Sequence, residues 1–475
     1  MRILIIGDYP KRIGGVTNYT RPLALELSKS HEVFYLYNGS STYDFDFGRM
    51  RIEESKEFSE FRCYELVNGL GLEKNYDTLN IDTSNWMDQL FCDFIRNHEI
   101  QIIHINEIFG FSSSMINIAR QQGIKVVVTV HEYWWLCPHR VMVDFNNRIC
   151  NGPSNIQKCS FCSQKILNDF NSKYTIRREK IRNSIPKIFK LIVYIYSLRR
   201  FFSPKKIDKN VDLKFGSANY TTFNNPKLED QLRTRLQKNI EALNTANLVI
   251  GVSHDVKDKL TTFGVDPAKV LVQHIGSTIA EIKVEHIKEV NKSNIVFGFI
   301  GGICYYKGVH QLIDAFTKMP DTYKAKCVIE LYGSYDIDYV NLINNNILLN
   351  DQYAQKVRFR GRYTPEEISN ISNTIDIMVL PSLCADTAPQ TIFESLSCQL
   401  PIIAPRVGGF PDFIKDNVNG LLYLEASVDS LKEKIMYIID NPHQVSIFRS
   451  HIPELKTISQ NCCELVELYK SPMSI

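Results

Sequence analysis

Short apolar runs alternate along the chain with stretches in which apolar residues recur at helical spacing. This alternation is typical of βαβ units. In the first half, strands are predicted at 2–7, 32–37, 101–105, 125–130, 247–253 and 269–273. A second series is predicted at 295–300, 328–332, 357–360, 375–381 and 401–405. Within the second series, Val309, Leu312, Ile313 and Phe316 have the spacing of one helix face, so 308–319 is predicted to be helical.

The two series predict two α/β domains. Apolar strands joined by helical crossovers indicate parallel sheets covered on both faces. A chain of 475 residues is also longer than one hydrophobic core usually supports. We expect a first domain at 1–285 and a second at 286–455, with the boundary in the polar stretch 281–294. The segment 456–475 is predicted to be a helical tail that packs back on the first domain, and 163–242 is predicted to be an insertion without strands.

The composition is that of a globular protein, with 44% hydrophobic and 23% charged residues. A net charge of +3 gives no reason to expect nucleic acid as a partner. The first apolar run is too short for a signal peptide, and no segment approaches the roughly 18 apolar residues of a membrane span. We therefore expect a cytoplasmic protein, whose 12 cysteines are thiols or metal ligands.

The segment from Asp386 to Glu394 is predicted to place an anion site at the start of a helix. Thr387 and Gln390 have capping-box spacing, and Pro389 suits a first turn. The free N–H groups and positive dipole end of such a helix bind phosphates. Glu394 is then placed to hold a ribose, and Asp386 to accept hydrogen bonds from a sugar. The alternative is that both acids only complement the helix dipole.

Other motifs accompany this segment in a fixed order. A lysine at the start of a helix can bind phosphate as a point charge, and paired glycines let a ligand approach the backbone, although a lone pair is usually only a turn. The motifs are Gly14-Gly15, Gly301-Gly302, Lys307-Gly308, Pro401-Ile-Ile, Val407-Gly-Gly-Phe-Pro-Asp412 and Asn419-Gly420.

In this order and spacing, the motifs resemble those of the retaining glycosyltransferases of family four. The resemblance covers most of the chain outside the insertion, and it implies the GT-B fold, in which two Rossmann-like domains face each other across a central cleft. By the family's pattern Glu394 binds the donor ribose and Lys307 the diphosphate. Asp386 binds the sugar, together with the backbone of a short segment that also contacts the phosphates, namely Ala388, Pro389, Gln390 and Thr391.

His131 ends the predicted strand 125–130, at the sheet edge where parallel sheets bind ligands. The segment from His131 to Pro138 resembles the histidine–acid–Tyr-Trp…Cys-Pro element of one branch of that family. The resemblance implies that the histidine faces the donor sugar across the cleft. It does not require a general base, because the retaining reaction is usually drawn as front-face attack assisted by the leaving phosphate. The alternative is a structural histidine.

Three positions depart from the family's pattern. Asp386 stands where a glutamate is usual, Gly302 where an arginine is frequent, and Ile275 where an asparagine is common. A catalytically weakened sugar-nucleotide-binding or scaffold protein of the same fold is therefore the alternative function. A dinucleotide oxidoreductase is disfavoured, because no G-x-G-x-x-G follows the first strand.

Four cysteines lie close together in the loop 137–162. Cys137, Cys150, Cys159 and Cys162 include one C-x-x-C pair. Four cytosolic thiolates suit a structural zinc site, and an iron–sulfur cluster or four unrelated thiols are the alternatives. The chemistry itself is expected to need no metal, because Lys307 and helix-end N–H groups can stabilise a leaving diphosphate.

The insertion is rich in basic residues. Between 177 and 206 there are ten lysines and arginines and one glutamate, interleaved with aromatic and aliphatic residues. Such a segment can lie on an anionic membrane, with about 1 kcal/mol from each basic residue. The alternative is a helical hairpin with a solvated face. We expect sugar transfer from a nucleotide-sugar to a glycan or lipid-linked acceptor, in bacterial surface-polysaccharide synthesis, peripheral to the inner face of the membrane.

Overall fold

The computed structural model of the protein describes residues 1–12, 14–39, 50–69, 81–170, 220–281, 290, 293–335, 337–349, 351–364 and 367–472. Its framework is two sheets with helices on both faces. The strands of the first half are β1 (Arg2–Gly7), β2 (Glu32–Asn38), β3 (Arg51–Ser55), β4 (Arg62–Val67), β5 (Ile102–Ile105), β6 (Lys125–Val130), β7 (Leu248–Gly251) and β8 (Val270–Val272). Those of the second half are β9 (Ile295–Ile300), β10 (Cys327–Tyr332), β11 (Val357–Gly361), β12 (Ile377–Val379), β13 (Ile402–Pro405) and β14 (Gly420–Tyr423).

Both sheets are doubly wound. The first has the order β3-β4-β2-β1-β5-β6-β7-β8, and its neighbouring strands run parallel except for β3 and β4. The second has the order β11-β10-β9-β12-β13-β14 and is parallel throughout the part that the structure describes. In each sheet the strand order reverses once, beside β1 in the first and beside β9 in the second. Ligands of such sheets bind at the carboxyl ends of the strands next to this reversal.

Helices cover the sheets and complete two hydrophobic cores. In the first half they are Gly15–Ser28, Ile81–Asn97, Ser114–Gln121, Ile156–Phe170, Pro226–Thr245 and His254–Thr262. In the second half they are Val309–Thr317, Asp321–Lys324, Ile337–Ile343, Ile368–Ser372, Gln390–Ser397, Phe410–Phe413, Val428–Asp440 and His443–Ser450, followed by Ile458–Lys470. The two Rossmann-like domains expected from the sequence are confirmed.

The sequence did not predict β3, β4 and β14. The β3 strand is a charged edge strand, with the sequence Arg-Ile-Glu-Glu-Ser, and it lacks the apolar run that marks a buried strand. The β14 strand follows Asn419 directly and has only four residues, so its apolar run is short. The strand predicted at 375–381 is shorter, because only Ile377–Val379 pairs with its neighbours.

The insertion at 163–242 is partly described. Its described ends belong to the helices Ile156–Phe170 and Pro226–Thr245, which contact each other. The basic run 177–206 lies outside the described residues. Among the residues that the structure does describe, no helix is long and apolar enough to cross a membrane.

The last helix, Ile458–Lys470, returns from the second half to the first sheet. Its Asn461 accepts a hydrogen bond of 2.8 Å from the buried hydroxyl of Tyr19. At its other end, Lys125 of β6 donates to the carbonyls of Leu468 and Ser471, both at 2.6 Å. A basic side chain on the last carbonyls of a helix is a favourable C-terminal contact.

Candidate functional site

A cleft of about 410 Å³ lies between the carboxyl edges of the two sheets. Loops that follow β1, β6, β9 and β12 line it, so it adjoins the reversal point of each sheet. The structure brings together nine of the residues predicted from the sequence, which are Gly14, Gly15, His131, Lys307, Asp386, Ala388, Pro389, Gln390 and Thr391.

Two helices begin at this cleft, one from each half. Gly14 is the N-cap of the helix Gly15–Ser28, and Pro389 is the N-cap of the helix Gln390–Ser397. Neither start has a side-chain cap, and residues of both starts line the cleft, so the positive ends of both helices lie at the cavity. A Cβ atom added to Gly15 would lie 3.9 Å from the Gln390 side chain, which shows how closely the two starts approach.

The predicted capping box is wrong. The helix starts at Gln390, one residue after Pro389, so Thr387 lies two positions before the N-cap. Its hydroxyl donates instead to the backbone carbonyl of His131, across the cleft. Thr387 therefore joins the two halves and does not cap the helix.

Lys307 and Asp386 form an ion pair inside the cleft. The Lys307 Nζ lies 2.8 Å from the carboxylate, which also accepts a hydrogen bond of 3.0 Å from Ser382. Burial opposes the charge of Lys307, but the carboxylate beside it more than offsets this, so the pKa of Lys307 is raised. The two residues, predicted to bind phosphate and sugar separately, neutralise each other in this state.

A tight turn holds Lys307 in place. The next residue, Gly308, has φ of 71°, and a Cβ there would approach the carbonyl oxygen of Pro381 to 1.7 Å. Only glycine fits both requirements. The turn at Gly308 therefore packs closely on the loop that carries Asp386, which places Lys307 beside that carboxylate.

His131 follows β6 and is part-buried in the cleft. Its Nε2 atom donates to Oδ1 of Asn106 at 2.9 Å, and its ring packs on Tyr19 with centroids 5.0 Å apart. Loss of hydration lowers the pKa of His131 to about 3, so the imidazole is neutral at pH 7. Its carbonyl is held by Thr387 of the other half.

Sequence reasoning missed an acidic wall beside His131. Arg140 Nε lies 2.7 and 2.6 Å from the two carboxylate oxygens of Glu132, and its Nη2 lies 2.9 Å from Glu107. Burial raises the pKa of Glu132, and the negative charge of Glu107 raises it further. Asp8 lines the same wall. Glu132 adjoins His131 in the sequence, but nothing in the sequence relates it to Asp8 or Arg140.

Glu394 lies one helical turn beyond the helix start and outside the cleft lining. Its carboxylate accepts a hydrogen bond of 3.1 Å from Tyr363. Burial raises the pKa of Glu394 above its ordinary value, and the Tyr363 hydroxyl partly opposes this. Glu394 belongs to the helix Gln390–Ser397, whose first residues line the cleft.

The departures at Gly302 and Ile275 have different surroundings. A Cβ added to Gly302 meets no atom within 4 Å, so this position leaves open space. Ile275 is 4% exposed and lines the cleft with an apolar side chain.

The four loop cysteines line one small cavity of about 30 Å³ and are free thiols. Burial raises the pKa of Cys159 to about 12. Among the described residues, however, no three cysteine, histidine or acidic side chains are arranged to hold a metal ion. The thiols are therefore neighbours without a formed tetrahedral site, and zinc binding stays a prediction.

Two family models match the chain. Residues 13–182 match a model described as Glycosyltransferase Family 4, and residues 281–453 match one described as Glycosyl transferases group 1. An uncharacterised glycosyltransferase of Methanocaldococcus jannaschii is 24% identical over 59% of this chain and 70% of its own length. A second one from that organism is 30% identical over 32% of this chain and 40% of its own length.

Solved structures with low sequence identity share the fold. Anabaena HepE in complex with UDP has a TM-score of 0.59 and 15% identity, over 98% of this chain and 100% of its own. The lipopolysaccharide outer core galactosyltransferase WaaB has a TM-score of 0.59 and 13% identity, over 99% and 100%. The two family models, which match the two halves in turn, and this fold place the chain among the glycosyltransferases of the GT-B fold.

Proposed function

We propose that the chain transfers a sugar from a nucleoside-diphosphate donor to a glycan or lipid-linked acceptor, with retention of the anomeric configuration. The observation that carries this proposal is the convergence of two uncapped helix starts and Lys307 on one cleft. Such helix ends bind phosphates through backbone N–H groups and the helix dipole. The complex of Anabaena HepE with UDP gives a precedent for the ligand in this fold.

In this proposal, donor binding replaces the ion pair between Lys307 and Asp386 with one between Lys307 and the diphosphate. Its diphosphate draws Lys307 away from Asp386, and the freed carboxylate accepts hydrogen bonds from hydroxyls of the donor sugar. As the bond to the sugar breaks, negative charge grows on the diphosphate. Lys307 and the N-termini of the two helices are then already positioned to stabilise that charge. Such preorganised electrostatic stabilisation is usually the largest single contribution to catalysis.

His131 has a supporting role in the proposal. A neutral imidazole hydrogen-bonds to a sugar without adding charge to the wall that contains Glu132 and Asp8. The resemblance noted above implies front-face attack, in which the leaving phosphate takes the acceptor proton. His131 then orients the sugar and does not act as a base.

The experiment is a measurement of nucleoside-diphosphate release from a panel of nucleotide-sugars. Replacing Lys307→Met should lower kcat/KM by about 10- to 100-fold, because a hydrogen bond to a charged group is worth about 1.5–3 kcal/mol. Lys324→Met is the matched control, since Lys324 forms a buried ion pair of 2.8 Å with Asp351 outside the cleft. The proposal fails if no donor is cleaved or if the two variants lose activity equally.

A further part of the proposal concerns location. The basic run 177–206 docks on the anionic inner face of the cell membrane, where lipid-linked acceptors for surface polysaccharides are found. Its composition is the support, because clustered basic residues interleaved with apolar ones bind anionic surfaces. Liposome flotation tests this, and equal recovery with anionic and neutral lipid would contradict it.

A further inference from the structure

A second crevice, of about 540 Å³, lies beside the cleft. The first half contributes the hairpin residues Asn146, Asn147 and Arg148. The second half contributes Tyr305, Gln311 and Glu425 among its lining residues. Its walls therefore combine amide, guanidinium and carboxylate groups with an aromatic ring.

The hairpin is held rigidly. A bridge between Val143 and Ile149 closes it. Inside the turn, one carboxylate oxygen of Asp144 accepts hydrogen bonds from the backbone N–H groups of Asn146 at 2.9 Å and Arg148 at 3.1 Å. Lys158 fixes the other carboxylate oxygen at 2.9 Å. These contacts use the backbone N–H groups of Asn146 and Arg148, and both residues line the crevice.

Gln311 gives the clearest indication of a ligand. The residue is 9% exposed, and its Oε1 atom is fully buried without a hydrogen-bond partner in the described part of the chain. A buried polar atom left unpaired costs about 1–3 kcal/mol, so such atoms are rare in native structures. Gln311 lines the crevice, so a ligand hydroxyl that enters beside its side chain can donate to this oxygen.

The crevice continues the cleft. Tyr305 lines the crevice, and Lys307, two residues later, lines the cleft. The loop opposite does the same, because Leu383 faces the crevice and Cys384 faces the cleft. A backbone hydrogen bond of 2.8 Å from Leu383 to Tyr306 joins the two segments, so one short turn separates the sites.

The Tyr305 ring is also fixed in place. It stacks on His310 with an interplanar angle of 18° and centroids 4.6 Å apart. A fixed aromatic ring provides a large apolar surface at low cost in conformational entropy. Such a surface suits the apolar face of a pyranose ring.

We propose that this crevice binds an uncharged sugar residue of the acceptor, next to the residue that receives the donor sugar. The acceptor is then an oligosaccharide, an inference that rests on the glycosyltransferase function proposed above. Sugar hydroxyls both donate and accept, which matches the mixture of asparagine, glutamine, arginine and glutamate side chains. Arg148 and Glu425 balance each other in charge, so the lining gives no preference for an anionic ligand.

The experiment measures glycan binding without any donor. An array of mono- and oligosaccharides, neutral and acidic, is probed with the wild type and with Gln311→Leu and Arg148→Ala. Leucine replaces glutamine at similar volume, and Arg148 is exposed, so a folded variant is expected in each case. Arg233→Ala, an exposed position on the helix Pro226–Thr245, is the matched control.

The wild type and the control should bind neutral oligosaccharides, and both crevice variants should bind them about tenfold or more weakly. The inference is overturned if the wild type binds no neutral oligosaccharide at about 1 mM, or binds only monosaccharides or acidic glycans. It is also overturned if both crevice variants bind neutral oligosaccharides as tightly as the wild type does. Nucleoside-diphosphate release is measured in parallel. Release without glycan binding refutes the crevice site alone, whereas glycan binding without release refutes the transferase function alone.

Discussion

Lys307 and Asp386 are paired in the cleft, and under the proposed function a donor has to break this pair. The donor must offer Lys307 a better partner than a carboxylate already 2.8 Å away. In the proposed function a diphosphate would do so, through its higher charge and the support of two helix ends. Once released, Asp386 carries a free carboxylate next to the phosphate site, where the donor sugar would lie.

We predict that Glu394 contributes to UDP affinity through the ribose hydroxyls. If its carboxylate holds the ribose hydroxyls, the wild type should bind UDP about tenfold or more tightly than 2′-deoxy-UDP, since one charge-assisted hydrogen bond is worth about 1.5–3 kcal/mol. Glu394→Ala should bind both ligands equally weakly. Isothermal titration calorimetry measures both affinities.

Tyr363→Phe is the control, because it removes only the hydroxyl that donates a hydrogen bond to Glu394. That variant should keep the preference for UDP. A preference that survives in Glu394→Ala would place the ribose elsewhere.

The motifs predicted which residues line the cleft, but not which side chains those residues contact. Gly14, Lys307 and Asp386 could be located because each follows a strand and precedes a helix, so local sequence determines their place. The pairing of Lys307 with Asp386, 79 positions apart, depends on the packing of two loops. The hydrogen-bond network of Glu132, Arg140 and Glu107 could not be predicted from the sequence either, because it also depends on how loops pack.

Among the elements, the cysteine-rich loop connects the site to its surroundings. It begins just after the segment that carries His131 and Glu132, and Arg140 donates its backbone N–H to the carbonyl of Cys137 at 3.0 Å. A metal at the four thiols would fix Arg140, and with it Glu132 in the wall of the cleft. The loop also contains the hairpin that lines the second crevice.

We predict that the purified protein contains close to one zinc per chain. Thiolate ligands bind zinc tightly, and Cys137 and Cys159 line the same small cavity as the other two cysteines of the loop. Elemental analysis measures the metal, with Cys63→Ser, a buried cysteine of β4, as the matched control for Cys159→Ser. Metal that is absent, or equally abundant in both variants, contradicts the prediction.

The last helix is predicted to make the fold sensitive to acid. His104 of β5 is buried between the hydroxyls of Tyr469 at 2.6 Å and Thr129 at 2.7 Å, and burial lowers its pKa from 6.5 to about 3. The unfolded chain therefore binds a proton below pH 6.5 that the folded chain does not. Stability that is present above pH 6.5 is lost as pH falls toward 3.

The test compares urea unfolding of the wild type and His104→Gln at pH 7 and pH 5. The wild type should lose about 2 kcal/mol more than the variant between these values, because one such proton is worth about 1.4 kcal/mol per pH unit. His443→Gln, at an exposed position, should behave as the wild type does. An equal loss in all three proteins would mean that His104 is protonated in the fold.

At the scale of the whole molecule, the two halves meet at several places around the cleft. Thr387 donates to the carbonyl of His131, and the carboxylate of Asp412 accepts the backbone N–H of His254 at 2.8 Å. The last helix adds Asn461 on Tyr19, whose ring supports His131. Contacts from the second half thus determine where His131 lies in the first.

The two-sheet architecture was predictable because buried parallel strands are continuous apolar runs. The relative placement of the sheets was not, since it depends on single contacts between the halves, such as those of Asp412 in the short helix Phe410–Phe413 and of Thr387 in a loop. The helical tail at 456–475 and its return to the first domain are predicted from the sequence, and the helix Ile458–Lys470 packs there. Its anchors, Lys125 and His104, were not predicted, because both lie in strands that the pattern assigns only to a core.

The most direct test is a crystal structure of the protein with UDP bound. Our account predicts that both phosphates lie between the starts of the helices Gly15–Ser28 and Gln390–Ser397, with Lys307 moved from Asp386 onto a phosphate oxygen and Glu394 on the ribose. Diphosphate bound elsewhere, or bound in the cleft while Lys307 still pairs with Asp386, would contradict it.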